Sequence, residues 1–258
     1  MKKIMFTSVK PLMVIVFLLS VIWLPTIVHA APQIEVVSHT SYIDPIGYYN
    51  IVGEVHNTGD QAANYVGITA TLYDNGDAVL GTSFDYIALG VLLPDRKSPF
   101  RIMELNATQA LLVDHYSLDV EFTPTDSIPK ELQITSHSST YSTSFNGLLT
   151  INGEIENTGD SAAALVTLIA TGYDEAGNVV EVEAAYLRPS HLLEAHQKAT
   201  FEIDLMGGNT NLVNSYELTA ESDIYALIPE FNSFLLTLLA VSLVSISLLI
   251  YKRKIIKK

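Results

Sequence analysis

The run Gly53-Glu54-Val55-His56-Asn57-Thr58-Gly59-Asp60 returns as Gly153-Glu154-Ile155-Glu156-Asn157-Thr158-Gly159-Asp160. The match continues in order. Ala62, Ala63 and Val66 recur as Ala162, Ala163 and Val166, and Ala70-Thr71-Leu72-Tyr73-Asp74 as Ala170-Thr171-Gly172-Tyr173-Asp174. Leu92-Leu93 recur as Leu192-Leu193, and Tyr116 and Leu118 as Tyr216 and Leu218. Phe100 and Ile102 match Phe201 and Ile203 one residue out of step; Ser38-His39 and Tyr42 find counterparts in Ser136-His137 and Tyr141. An offset near 100 residues is the size of a domain, well above the roughly 20–50 residues of a solenoid repeat. The sequence therefore has to build the same unit twice, each copy with its own core.

Within each copy the apolar residues alternate. Tyr49, Ile51, Gly53 and Val55 interleave with Asn50, Val52 and Glu54; Val66, Ile68, Ala70 and Leu72 interleave with Gly67, Thr69 and Thr71. Phe100 and Ile102 start another such run, and Tyr116, Leu118, Val120 and Phe122 form a last one. A period of two rich in β-branched and aromatic residues is the mark of half-buried strands. Asn57-Thr58-Gly59-Asp60 and Asp74-Asn75-Gly76-Asp77 separate the runs with residues suited to turns. Six or seven short strands per copy predict an all-β protein of two tandem antiparallel β-sandwiches. Residues 31–123 form the first repeat and 131–223 the second, with a short proline-containing linker at 124–130. Such a linker would let the first repeat project outward from the second.

The two ends of the chain differ from the body. Lys2, Lys3 and Lys10 precede an apolar run from Leu12 to Leu24 and the small-residue site Val28-His29-Ala30. This is a secretory signal peptide over residues 1–30, cleaved after Ala30; an uncleaved N-terminal anchor is the other reading. Residues 231–251 contain no charge and are long enough to cross a bilayer, and Lys252, Arg253, Lys254, Lys257 and Lys258 follow. The basic tail at 252–258 stays in the cytoplasm, which places the body outside. The expected location is thus the cell surface, with one C-terminal transmembrane helix as the membrane contact.

All 28 acidic residues lie between Glu35 and Glu230, with only six of the 14 Lys and Arg: Arg96, Lys97, Arg101, Lys130, Arg188 and Lys198. Six against 28 leaves this stretch 22 charges negative, which excludes nucleic acid as a partner. The chain has no cysteine, which excludes disulfides, thiolate metal sites and a cysteine nucleophile.

Two resemblances follow from these residues. Gly53…Asn57-Thr58-Gly59 followed by Leu72-Tyr73-Asp74, with Gly153…Asn157-Thr158-Gly159 followed by Tyr173-Asp174, resembles the FxLYD domain of bacterial and archaeal surface proteins. Leu93-Pro94 ahead of Pro99-Phe100 also fits. The Phe position of that motif holds Ala70 and Ala170, and its Leu is Gly172 in the second copy. The resemblance implies an immunoglobulin-like sandwich without established catalysis. Pro229-Glu230-Phe231, closing the juxtamembrane stretch 224–230 ahead of the span and basic cluster, resembles the PEF-CTERM sorting signal of archaeal surface proteins. It implies an archaeosortase-like enzyme that removes the tail; an ordinary retained anchor is the alternative.

Candidate chemistry is sparse. The Asn57–Asp60 and Asp74–Asp77 segments read as turns, and an EF-type calcium loop would need further oxygen ligands and a closing Glu. His191 and His196 are five apart, which does not suit one helical face, and no HExxH or GxSxG occurs. His39 and His137 occupy equivalent positions, which favours a shared structural role. Asn106-Ala107-Thr108 is the one N-glycosylation sequon, so Asn106 is the candidate glycan site. No catalytic, cofactor or metal residue is expected. The residues favour a structural, adhesive or interaction role with an envelope protein partner. The alternatives are an extracellular binder of a soluble ligand or a cation such as calcium and, last, a surface hydrolase.

Overall fold

The computed structural model describes residues 31–104, 107–128, 130–143 and 147–225. The signal peptide with Ala30, the sequon Asn106, the Pro229-Glu230-Phe231 motif, the apolar span and the basic tail lie outside the described residues. Among those described, no helix is long and apolar enough to cross a membrane.

The chain is all-β. The first half contributes β1 (Ile34–Ile43), β2 (Tyr49–Asn57), β3 (Ala62–Tyr73), β4 (Val79–Tyr86), β5 (Val91–Leu92), β6 (Lys97–Glu104) and β7 (His115–Thr125). One four-residue helix, α1 (Ala107–Ala110), precedes β7. The second half contributes β8 (Leu132–Ser142), β9 (Leu148–Asn157), β10 (Ala163–Tyr173), β11 (Val179–Tyr186), β12 (Lys198–Leu205) and β13 (Ser215–Tyr225). β7 thus occupies the first two residues of the expected linker, and β13 runs past residue 223.

Each half pairs its strands internally and antiparallel. β1-β2-β6 form one sheet of the first half, and β3 carries β4 and the short β5 on one side and β7 on the other. β8-β9-β12 and β11-β10-β13 are the corresponding sheets of the second. The two sheets of a half face each other across an apolar layer, a sandwich arrangement. In the first, Ile51, Val55, Phe100 and Ile102 meet Val66, Ile68, Ala70 and Leu72; in the second, Ile151, Ile155, Phe201 and Ile203 meet Val166, Leu168 and Ala170. These are the inward residues of the alternating runs, and their burial is what makes the period-two pattern stable.

Details of the fold are duplicated too. Phe100 packs over Gly53 and Phe201 over Gly153, so closely that neither glycine has room for a Cβ. Buried Asn57 donates from Nδ2 to the carbonyls of Gln61 and Leu92 and accepts the Gly59 N–H at Oδ1; Asn157 does the same with Ser161, Leu193 and Gly159. This side chain stitches the turn to the far side of the sandwich, which gives the Asn-Thr-Gly run a structural purpose. Tyr65 and Leu165 share a positive φ, 50° and 53°, as do Asp95 and His196, 55° and 59°.

Strand register corrects one sequence pairing. Tyr42 faces Asn50 and Thr140 faces Thr150, while Tyr141 faces Leu149 as Ile43 faces Tyr49. The counterpart of Tyr42 is therefore Thr140, not Tyr141. A second correction concerns the halves' mutual position. The first does not stand off along a linker: its β1-β2-β6 sheet lies under β11 of the second.

Candidate functional site

β2 shows why that contact matters. Its inward residues are buried by the sandwich, yet its outward Asn50, Val52 and Glu54 are buried as well. On β10 the outward Ile169 and Thr171 are buried, and Ile169 reaches the core cluster of the first half. Val52, Val179 and Val182 form a small apolar cluster of their own, flanked by Tyr42 and Tyr173. Both backbone polar groups of Val179 are satisfied across the contact: its N–H donates to Ser38 Oγ (2.9 Å), and Thr40 Oγ1 donates to its carbonyl (2.7 Å).

Charge surrounds this apolar centre. Arg101, on β6, donates from Nε to Asn50 Oδ1 (3.2 Å) and from its guanidinium to the Val182 carbonyl (3.3 Å). The same group stands 3.8 Å from Glu181 and 3.6 Å from Glu183, both on β11. Tyr42 donates to Glu181 Oε1 (3.1 Å). Glu181 is fully buried; its Oε2 has no hydrogen-bond partner among the described residues and packs against Gly207. Burial pushes the carboxyls of Glu181 and Glu183 above their ordinary pKa, against the pull of Arg101. Burial, reinforced by the neighbouring carboxylate, also pushes up the Tyr42 hydroxyl.

Two further links cross the same boundary. Arg96 Nη1 meets Glu221 Oε2 on β13 at 2.8 Å, both side chains mostly buried. Tyr173 donates to Glu54 Oε1 (2.8 Å), whose other oxygen takes Lys97 (3.0 Å). The three cations the first half holds at 96, 97 and 101 thus all serve this boundary. Buried pairs of this kind contribute more to which surfaces match than to raw stability, since desolvation offsets much of their attraction.

The residues singled out from sequence go elsewhere. Asp74 Oδ1 accepts the N–H groups of Gly76 and Ala78, and Asp174 Oδ1 those of Ala176 and Asn178. The carboxylates close their own hairpin turns. Hydrogen bonds to these N–H groups, and above all to the Asn178 side chain, hold the Asp174 carboxyl below its usual pKa. His39 and His137 make the same contact, to Tyr116 and Tyr216 hydroxyls at 2.8 and 2.9 Å. His191 stacks on Tyr186, whereas His196 meets Asp160 at 3.0 Å, so the two are not brought to one site. Among the described residues no group of three His, Asp or Glu is placed to hold a metal.

Among the grooves of the second half is one with a volume of about 640 Å³. Glu183, Glu202, Asp204, Arg188, Asn152 and Tyr186 supply its polar lining. Sequence reading passed over both the groove and the contact between the halves. The available signal was where the repeat breaks: Arg101 aligns with Glu202, Val52 with Asn152, Gly81 with Glu181 and Thr69 with Ile169.

No family model matches the sequence, and no curated protein does. Among solved structures, a β-glucuronidase from glycoside hydrolase family 2 is 14% identical at a TM-score of 0.25 and covers 62% of this chain. Red sea bream transglutaminase is 9% identical at a TM-score of 0.22 and covers 75%. The chain spans 20% and 29% of the length of those two proteins. Likeness at this level carries no argument about activity.

Proposed function

We propose that this is an exported, membrane-anchored cell-surface protein with a structural, adhesive or protein-interaction role. Its ectodomain is two tandem immunoglobulin-like sandwiches of the FxLYD kind, tethered outside an archaeal-type membrane by the 231–251 span. Pro229-Glu230-Phe231 serves as the sorting motif for an archaeosortase-like enzyme, and an envelope protein is the partner. The observation that carries this reading is the duplication with its built contact. Two copies of one fold, locked side by side, with turn acids and histidine pairs given to structural bonds, suit display and recognition better than catalysis.

Intact mass of the protein from its native envelope tests it. A chain beginning at Ala31 and ending near Phe231 with a lipid-like adduct is the expected result. A chain ending at Lys258 would leave the surface role and remove the sorting step; one beginning at Met1 would overturn cleavage at Ala30.

The groove of the second half favours one other reading, an extracellular binder of a small soluble ligand or a cation. A rise in melting temperature at millimolar calcium, absent in Glu202→Gln, would move the assignment to it.

A further inference from the structure

The contact between the halves is head-to-tail: an edge strand of the second sandwich, β11, seats on a sheet face of the first. Because the sandwiches are copies, the same two surfaces exist once more. β4 of the first half is the counterpart of β11, and the β8-β9-β12 face of the second is the counterpart of the covered face. A head-to-tail contact between equal units extends without limit unless something stops it. We propose that the second half is built as the terminal unit, so that each chain closes this contact once, within itself, and copies do not join end to end.

The residues at the two spare surfaces carry the argument. On the covered face stand Ser38, Thr40, Tyr42, Val52 and Arg101; in register with them on the second half are Ser136, Ser138, Thr140, Asn152 and Glu202, all exposed. The aromatic ring, the aliphatic centre and the cation are each replaced, by a hydroxyl, an amide and an acid. The spare edge has changed too. Val179, Glu181, Val182 and Glu183 correspond to Val79, Gly81, Thr82 and Ser83. Val79 is 61% exposed, whereas Val179 is completely covered.

Seating β4 of one copy on the β8-β9-β12 face of another would lay Val79 and Thr82 on Asn152 and Thr140. It would also desolvate Glu202 opposite Gly81 and Ser83, with no cation where Arg101 stands in the closed contact. A carboxylate taken from water without a partner opposes binding. A polar outer face on the last unit is also how repeat arrays are capped.

The cysteine-free chain allows a clean test with the full protein in mild detergent. Thr40→Cys with Val179→Cys marks the closed contact, and Ser138→Cys with Val79→Cys marks its intermolecular counterpart. Mild oxidation should bridge the first pair by a disulfide within one chain and give no disulfide-linked multimers with the second. A ladder of linked chains from the second pair would overturn the proposal. The converted chain, with Thr140→Tyr, Asn152→Val, Glu202→Arg, Gly81→Glu and Ser83→Glu added to the second pair, should produce that ladder. If it keeps its β circular dichroism and stays monomeric, those residues are not the stop and the proposal falls. Should it fail to fold, Ser83→Glu with Glu202→Arg alone carries the same two outcomes.

Discussion

β4 and β11 occupy the same place in their sandwiches, pair with the same neighbour through the same register, and meet opposite fates. β11 is buried along its first four residues and binds the other half by Val179, Glu181 and Val182, whereas β4 presents Val79, Phe84 and Tyr86 to solvent. The faces they address differ in the same way, Arg101 and Val52 on one and Glu202 and Asn152 on the other. Nothing in the backbone separates the two cases. A few side chains outside the apolar core decide whether a strand is an edge or a seat, because the core residues build each sandwich and the others are free to diverge.

The largest effect should fall where the halves are alike. Phe100→Ala and Phe201→Ala each empty a core position that a glycine has been shaped to fit, and each should cost about 3–5 kcal/mol in chemical denaturation. A cost confined to one of them would break the equivalence of the two cores.

A smaller effect should appear where they differ. Arg101→Ala strips the cation from buried Glu181 and should cost about 1–3 kcal/mol, while Glu202→Ala should stay within about 0.5 kcal/mol. Thermal melts of both variants check this; equal losses would mean the covered face is no more committed than the free one.

The smallest effect is a matter of pH. In the folded chain the Glu181 carboxyl titrates above its ordinary 4.5, so the stability tied to its protonation is full below 4.5 and lost as pH rises through the folded value. Against Glu181→Gln, the wild-type chain should therefore gain stability as pH falls from 7 towards 4.5. A difference in melting temperature that stays flat over that window would place Glu181 in water and the contact open.

Much of this was legible beforehand, for a physical reason. Strand positions such as Ile51, Val55, Ile68 and Leu72 announce themselves because sheet burial repeats every second residue, and Gly53 and Gly153 stand where the repeat kept them. The turns at Asn57 and Asp74 were read from local chemistry, since their side chains bond within a few residues. β1 and β4 are not legible in this way: β1 lies half-exposed along its whole length, and β4 sets Gly81, Ser83 and Asp85 opposite the inward Leu72, Ala70 and Ile68, where apolar residues would be sought. Arg101 and Glu181 each mark a break in the repeat, but they stand 80 residues apart and no local pattern joins them.

The sequence by itself determined that the same β-unit is built twice, which residues face its core, and that its centre is acidic, because duplication and alternation are one-dimensional facts. Only the tertiary structure decided that the two units touch, which sheet is covered, and that Tyr42, Glu54, Arg101 and Glu181 stand together. Such contacts depend on where side chains distant in the chain arrive in space, and no local periodicity records that.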